Sequence, residues 1–287
     1  MTRTRVELGR REDLGADCAN CFGLCCVALA FAKSADFPFD KDAGEPCTNL
    51  DDQDGCRIHP HLRDRGFAGC TVFDCFGAGQ KVSRSTFAER SWRDDPATRT
   101  AMFAVFPVVR RLHELLWYLD EAIRLVSGSR DPAPWTSAFD RVRALSDADP
   151  ETLTALDVDA EYDAARALLV EASEIARSGA VRGGSTAVRA QGSRVRGPGS
   201  DLAGAALRGA DLRGQSLRGS IAIGADLRDA QLGRCDVLGV DLRGADLSGA
   251  DLVGAVYLTQ PQVNSARGDT RTRLPEGFAR PSHWTED

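Results

Sequence analysis

Cysteines are the residues of this chain with the most obvious chemistry. Nine occur among 287 residues, and eight of them lie between positions 18 and 75. They are grouped as Cys18-x2-Cys21-x3-Cys25-Cys26, Cys47-x8-Cys56 and Cys70-x4-Cys75. Isolated structural thiols have no reason to recur every few residues, so this crowding predicts either metal ligands or disulfides.

The cellular compartment helps to decide between these two chemistries. Residues 1–15, MTRTRVELGRREDLG, carry charges of both signs and lack the apolar core of a secretory signal, so we expect a cytosolic protein of bacterial type. Thiols stay reduced in the cytosol, which favours metal binding over disulfides. The spacing of Cys18 and Cys21 is typical of a ligand pair, and that of Cys70 and Cys75 is close to it.

The identity of the metal is open at this point. Eight thiolates suit two four-sulfur zinc sites, and they also suit one iron–sulfur cluster with cysteines to spare. Adjacent Cys25 and Cys26 point to opposite faces of an extended segment, so both can bind only if the site is multinuclear or the backbone turns there. We predict Zn²⁺, with iron or an iron–sulfur cluster as the alternative. The predicted ligands are Cys18, Cys21, Cys25, Cys26, Cys47, Cys56, Cys70 and Cys75.

Three segments resemble the YkgJ-type CxxCxxCC proteins, which are described as having a zinc- or iron-chelating domain. The segments are DCANCFGLCC at 17–26, PCTNLDDQDGCRIH at 46–59 and GCTVFDC at 69–75. The resemblance implies a metal-binding domain over residues 17–76. The chain departs from the family pattern in the extra residue between Cys21 and Cys25, and in His59, where the family tends to have an aromatic residue.

Three of the histidines are further candidates for a chemical role. His59 and His61 follow Cys56 closely, but because eight cysteines are available we interpret both as groups beside the ligands or on the surface. His113 lies in a predicted helix, and no serine, cysteine or carboxylate constellation points at it. A structural or exposed role is therefore favoured over a proton shuttle.

Residues 200–259 repeat with a period of five through twelve blocks in one register, from SDLAG to AVYLT. Neither a helix nor a flat strand has this period, so the backbone must turn a corner every fifth residue. The pattern resembles the pentapeptide-repeat family, which implies a right-handed, four-sided β-helix with one block per face. The central residue of each block would then point inward, and Cys235 would be a core thiol rather than a ninth ligand. Asp229 and Arg234 replace glycine at two corners, which predicts a local distortion of the middle coil.

The segment between the cysteines and the repeats is predicted to be helical. Apolar residues from 99 to 126 recur at three- and four-residue steps, and Pro107 indicates the start of the regular helix. A second helix is predicted to begin at Asp149 and Pro150, and a third to cover 159–178. The segment 181–196 carries four arginines among Gly, Ser and Ala, which is typical of a flexible linker.

Together these segments predict a multidomain α+β protein. Its parts are a cysteine-rich metal-binding domain (1–82), a helical region (83–179), a flexible linker (180–199), a pentapeptide-repeat β-solenoid (200–259) and a C-terminal cap or tail (260–287). The net charge of −6 argues against direct nucleic-acid binding. No apolar stretch approaches the length of about 18 residues that a membrane helix needs.

The predicted function is a non-enzymatic metal-binding module that contacts an unknown protein partner through the solenoid faces. The sequence has no Ser-His-Asp, P-loop, Rossmann or HExxH signature, and thiolate-saturated zinc usually has no open position for a substrate. An iron–sulfur redox protein is the alternative from another class. A homodimer is compatible with the sequence.

A third alternative is a modulator of DNA gyrase, because some pentapeptide-repeat proteins mimic DNA. Twelve blocks give three coils, and at the strand spacing of about 4.8 Å the stack is only about 14 Å long. Residues 200–259 contain eight Asp and six Arg, a net charge of −2, whereas mimicry requires a surplus of carboxylates. We therefore favour the interaction module.

Overall fold

The structure is a computed structural model that describes residues 9–178, 189–190, 193–194 and 197–284. The chain forms two compact units, Met1–Leu169 and Val170–Asp287. Most of the predicted linker 180–199 lies outside the described residues. Within it, the two-residue strands β1 (Arg189–Ala190) and β2 (Ser193–Arg194) pair antiparallel.

Between residues 9 and 95 the first unit is built from short elements. The helices are α1 (Leu24–Val27), α2 (Ala68–Thr71) and α3 (Ala78–Gln80), and a π-helical stretch, Lys81–Thr86, continues α3. Short 3-10 helices occupy Gly9–Arg11, Cys18–Asn20 and His59–His61. Antiparallel bridges join Phe31 to Lys41 and Leu50 to Cys56.

The longest helix, α4, covers Pro96–Val126. The carboxylate of Asp95 caps it by accepting a 2.8 Å hydrogen bond from the Thr98 amide, and Pro96 suits the first helical position. The prediction that the regular helix begins at Pro107 is wrong. An interior proline costs about 3 kcal/mol, but each large apolar side chain that α4 buries contributes about 1.5–3 kcal/mol. Phe106 and Val109 beside it are fully buried.

Three further helices follow α4: α5 (Ala133–Ser146), α6 (Pro150–Ala155) and α7 (Val158–Ser178). The predicted starts of α6 and α7 are confirmed, whereas α5 was not predicted. Asp149 caps α6 by accepting hydrogen bonds from two backbone amides, each at 3.0 Å. The indole of Trp135 on α5 donates a 2.8 Å bond to the carbonyl of Leu168 on α7. Across the described ranges, none of the helices combines the length and apolarity that crossing a bilayer requires.

Parallel β-bridges connect residues twenty positions apart in the repeats, such as Asp201 with Ile221 and Ile221 with Asp241. Four five-residue blocks therefore complete one coil, and twelve blocks complete three. Each block contributes a single bridge residue in place of a longer strand, because the chain turns a corner within every block. All twelve predicted central residues are at most 3% exposed, and Cys235 is fully buried, so the predicted register is confirmed.

Two corners of the middle coil carry residues other than glycine. Asp229 and Arg234 have φ of 58° and 56°, the left-handed conformation that the glycine corners adopt. The Asp229 amide keeps its ladder hydrogen bond, to the carbonyl of Ser248 at 2.9 Å. The Arg234 amide bonds Gly254 at 2.9 Å, one residue beyond the partner that the repeat register gives. The expected distortion is therefore confined to Arg234.

Beyond residue 259 the tail both caps and extends the stack. Helix α8 (Gln260–Ser265) begins with a capping box between Thr259 and Gln262. Bridges then join Asp246 to Arg267 and Asp251 to Arg273, so part of the tail adds an irregular layer to two faces. Leu274, Phe278 and Trp284 of the tail pack against the solenoid core, as expected of a cap.

Candidate metal centre

The structure brings the eight predicted ligands together in the first unit, all as free thiols. We call these eight side chains the cysteine cluster. Electrostatic interactions link the thiol of Cys25 to those of Cys18, Cys21, Cys26, Cys56, Cys70 and Cys75. Cys47 joins the group through Cys70. Cysteines that are up to 57 positions apart in sequence therefore lie within electrostatic range of one another.

The adjacent pair Cys25 and Cys26 lies in helix α1 and not in an extended segment. The backbone therefore turns at this point, which is one of the two conditions under which both cysteines could bind metal. Gly23, with φ of 64°, precedes the helix and allows the reversal. The two sulfurs are 4.0 Å apart. Tetrahedral coordination with zinc–sulfur bonds of about 2.3 Å needs a sulfur–sulfur separation of about 3.8 Å. This pair is thus close to the spacing of two ligands on one zinc ion.

Backbone contacts hold the second cysteine segment against the first. The Cys47 amide donates a 2.9 Å hydrogen bond to the Cys26 carbonyl. The antiparallel bridge between Leu50 and Cys56 then returns the chain, so that the thiol of Cys56 interacts with that of Cys26. The loop 47–56 thereby presents both of its cysteines to the cluster.

The segment from α3 into the π-helical stretch supports the first two cysteines. A Cβ on Gly79 would lie 2.7 Å from the Cys21 sulfur and 3.9 Å from the Cys75 sulfur, so the absence of a side chain lets both approach. The Gln80 side chain accepts a hydrogen bond from Asp17 and donates one to Gly15. No sequence signal identified these two supporting residues, because neither has a ligand atom suited to the cluster.

Burial changes the protonation of the cluster. Burial, followed by the charge of Cys25, raises the pKa of Cys18 to about 11 and the pKa values of Cys21 and Cys70 to about 12. A hydrogen bond from Cys26 lowers the pKa of Cys56 to about 6. Mutual repulsion and desolvation thus oppose further ionisation, and a divalent cation is the partner that would reverse this.

The histidines fall outside this arrangement, in agreement with the sequence interpretation. His59 and His61 are exposed on their 3-10 helix, and His61 lies 3.7 Å from the Asp64 carboxylate. His113 is fully buried on α4 with Nδ1 2.7 Å from the Phe76 carbonyl. Burial lowers its pKa to about 4, so the ring is neutral near pH 7 and has a structural role.

The cluster is not a closed ligand set. Among the residues that the structure describes, no three His, Cys, Asp or Glu side chains are arranged so that they could hold a metal ion. The thiols surround a common region, but binding would have to draw their sulfurs closer together. The donor chemistry therefore fits zinc or iron, whereas the present spacing does so only at the Cys25–Cys26 pair.

On the solenoid, acidic and basic side chains pair with each other. Seven of the eight Asp residues in 200–259 have an arginine within 4.0 Å; they are Asp211, Asp226, Asp229, Asp236, Asp241, Asp246 and Asp251. Within three blocks the Asp pairs with the Arg two positions later, as Asp226 does with Arg228 at 2.6 Å. These outer charges cancel locally.

One face of the solenoid is covered by the end of α7, from residues that belong to the same unit. Asp236 and Val256 on this face are each 1% exposed. Ser173, near the end of α7, donates a hydrogen bond to Asp236. The face with Ile221, in contrast, is open to solvent: Ile221 is 48% exposed and Ile223 is 39% exposed. The outward surface available to a partner therefore lies on the other three faces.

Comparison with known proteins agrees with the architecture of the second unit. Residues 199–232 and 225–256 match the family described as pentapeptide repeats, in 8 copies, so the second unit contains pentapeptide repeats. The whole chain is 53% identical over 277 residues to the uncharacterized protein YybG of Bacillus subtilis (strain 168), with 95% of each chain covered. The chain belongs to the same family as YybG.

A solved structure with similar sequence is a pentapeptide repeat protein from the thylakoid lumen of Arabidopsis thaliana, determined at 1.7 Å resolution. It is 27% identical, and the match covers 27% of this chain and 57% of that one with a TM-score of 0.15. The resemblance of residues 17–76 to YkgJ-type proteins stays a prediction.

Proposed function

We propose that this is a cytoplasmic, non-enzymatic protein in which the cysteine cluster binds Zn²⁺ and the pentapeptide-repeat solenoid contacts a protein partner. The observation that carries the metal proposal is the set of six thiols that interact electrostatically with that of Cys25, together with the 4.0 Å separation of the Cys25 and Cys26 sulfurs. Eight free cysteines in one short segment are unusual, and metal binding is a chemical role that would explain them.

Thiolate is a ligand that zinc and iron prefer, and the cluster offers eight. When bound, zinc would supply electrostatic neutralisation of the thiolates and the free energy that folds a loop-rich segment. The chain supplies the rest: α1 turns Cys25 and Cys26 together, and Gly79 leaves room beside the Cys21 sulfur. A fully sulfur-coordinated zinc has no open position for a substrate, which supports a structural or sensing role over catalysis.

The interaction role is supported by the outer surface of the solenoid. Ile221 and Ile223 are exposed apolar side chains on one face, flanked on that face by Asp201 and Asp241. These two isoleucines would give a protein partner apolar surface to bury. The paired charges of the other faces, as in Asp226 with Arg228, disfavour the mimicry of DNA that a gyrase modulator requires.

Elemental analysis together with a visible spectrum, on protein purified without oxygen, tests the metal proposal. A colourless protein with about two zinc ions per chain supports it. A brown protein with iron and acid-labile sulfide supports the iron–sulfur alternative instead. Protein that contains neither metal and takes up none from solution refutes both.

Matched variants show whether the cysteine cluster is the site. Cys25→Ser should lower the bound metal, because the thiol of Cys25 interacts with six of the other cysteines of the cluster. Cys235→Ala is the control, since this thiol is buried in the solenoid core and small residues occupy the equivalent positions. Equal metal content in both variants contradicts the assignment.

A further inference from the structure

A buried lysine lies at the junction of two cysteine segments. Lys41 is only 3% exposed, and its ammonium donates to three carbonyl oxygens, those of Glu45 at 2.7 Å, Asp42 at 3.0 Å and Val27 at 3.4 Å. An ammonium has three donors, so all of them are used. Carbonyl oxygens satisfy the donors without neutralising the charge, and a buried charge is costly unless other groups offset it.

The position of these carbonyls connects Lys41 to the cluster. Val27 follows Cys26 directly, and Glu45 lies two residues before Cys47. The two cysteine segments also bond each other, through the Cys47 amide and the Cys26 carbonyl at 2.9 Å. Lys41 thus ties together the backbone on both sides of the pair.

An aromatic loop fixes Lys41 in this position. Phe31 and Lys41 exchange two backbone hydrogen bonds, of 3.0 and 2.8 Å, which close the loop 31–41. The Phe31 ring lies 5.6 Å from the ammonium and stacks on Phe37 with centroids 4.3 Å apart. Phe37 in turn packs so closely on Gly69, next to Cys70, that a Cβ there would lie 2.3 Å from its ring. The loop 31–41 therefore contacts the chain beside Cys26, beside Cys47 and beside Cys70.

We propose that Lys41 is a positioning residue of the cysteine cluster, which holds Cys26 and Cys47 side by side and offsets the negative charge that their thiolates acquire on binding a metal ion. This inference rests on the proposed metal function. Two Zn²⁺ ions do not neutralise eight thiolates, so a nearby buried cation favours the ionised, metal-bound cluster.

The test compares Lys41→Met with Lys33→Met, since Lys33 is an exposed lysine in the same loop. The readouts are zinc affinity, from competition with a chromophoric chelator, and the sulfur-to-cobalt charge-transfer absorption after loading with Co²⁺. Removing a group that orients metal ligands typically lowers affinity about 10- to 100-fold. We expect a loss of that size and a weaker cobalt band in Lys41→Met, with Lys33→Met like the unmodified protein.

A second variant keeps the test decisive if Lys41→Met does not fold. Lys41→Gln retains donors for the carbonyls but not the charge, and we expect it to keep the helical circular dichroism while losing at least about tenfold in zinc affinity. Unchanged affinity and cobalt spectrum in a folded Lys41 variant would overturn the role of Lys41 while metal binding stands. Failure of the unmodified protein to bind either metal would instead overturn the proposed function.

Discussion

The hydroxyl of Ser173 donates a 2.6 Å hydrogen bond to the carboxylate of Asp236, which joins the end of α7 to one face of the solenoid. The same carboxylate oxygen accepts two bonds from the Arg218 guanidinium, at 3.1 and 2.8 Å. Arg218 in turn lies 5.5 Å from the centroid of the Tyr257 ring. The Asp236 side chain is only 1% exposed and that of Arg218 is 19% exposed, so this ion pair is largely shielded from water.

Removing Asp236 should therefore destabilise the second unit strongly. Asp236→Ala removes the buried carboxylate that accepts hydrogen bonds from Ser173 and Arg218, and we expect the free energy of unfolding to fall by about 1.5–3 kcal/mol. Asp211→Ala, which breaks the more exposed pair with Arg213, should cost less than about 1 kcal/mol. Urea unfolding of both variants measures the difference. Equal losses would show that burial does not increase the contribution of the Asp236–Arg218 pair to the free energy of unfolding.

The register of the repeats predicts a similar contrast between two neighbours. Leu227 is 1% exposed in the middle coil, so Leu227→Ala should leave a cavity and cost about 2–5 kcal/mol. The Arg228 side chain is 42% exposed and pairs with Asp226 on the surface, so Arg228→Ala should cost less than about 1 kcal/mol. Thermal and urea unfolding check both values. A larger loss for Arg228→Ala contradicts the register.

His113 predicts a pH dependence in the first unit. Its folded pKa of about 4 lies below the ordinary value of 6.5, so the unfolded chain takes up the proton first. The stability that the neutral ring contributes is complete above pH 6.5 and is lost as the pH falls towards 4. The 2.5-unit difference corresponds to about 3 kcal/mol.

The His113 prediction is measured as a difference between proteins. The unfolding free energy of the unmodified protein, relative to that of His113→Gln, should fall by about 3 kcal/mol between pH 7 and pH 4. The comparison removes the contribution of carboxylates, which both proteins share. A difference that does not change with pH would mean that the ring has the same pKa in the folded and unfolded states.

Metal removal should act on one part of the chain only. If the cysteine cluster binds a structural metal, a chelator should make residues 17–76 sensitive to protease, because metal binding supplies folding free energy to a loop-rich segment. The repeats should stay resistant, since their core consists of buried apolar side chains. Limited proteolysis with mass spectrometry detects the change. Identical N-terminal fragments with and without chelator argue against a structural metal.

The solenoid should not affect gyrase. Purified protein at micromolar concentration should leave DNA supercoiling by gyrase unchanged, because Asp211, Asp226 and Asp246 each have an arginine nearby and cannot reproduce a row of phosphates. The control is the triple variant with asparagine at these positions. Inhibition by the unmodified protein that is lost in the triple variant would support DNA mimicry.

The repeat register was predictable because a narrow interior imposes it on every block. An inward position accepts only residues such as Leu227 or Cys235, so the pattern in the sequence is a direct record of burial. The covering of one face was not predictable in the same way. Asp236 occupies the same place in its block as Asp241 does in the next, yet Asp236 is buried beside Ser173 whereas Asp241 is partly exposed and pairs with Arg243.

The first unit was less predictable for two physical reasons. Pro107 is a local signal for a helix start, but α4 tolerates it because the packing of the whole helix outweighs one lost hydrogen bond. The cysteines could be recognised by type and spacing, whereas Lys41 and Gly79 could not. Their importance depends on contacts between segments that are distant in sequence, and nothing in the residue types themselves indicates those contacts.

The twenty-residue spacing between bridged neighbours also determines how this domain can change in length. A one-residue insertion among the repeats would move every later side chain off its face and expose apolar residues. Duplication of a twenty-residue segment would add one complete coil, about 4.8 Å of height, and leave each later residue on its own face. Recombination within the gene can therefore lengthen the domain in whole coils while the residues that meet α7 stay in place.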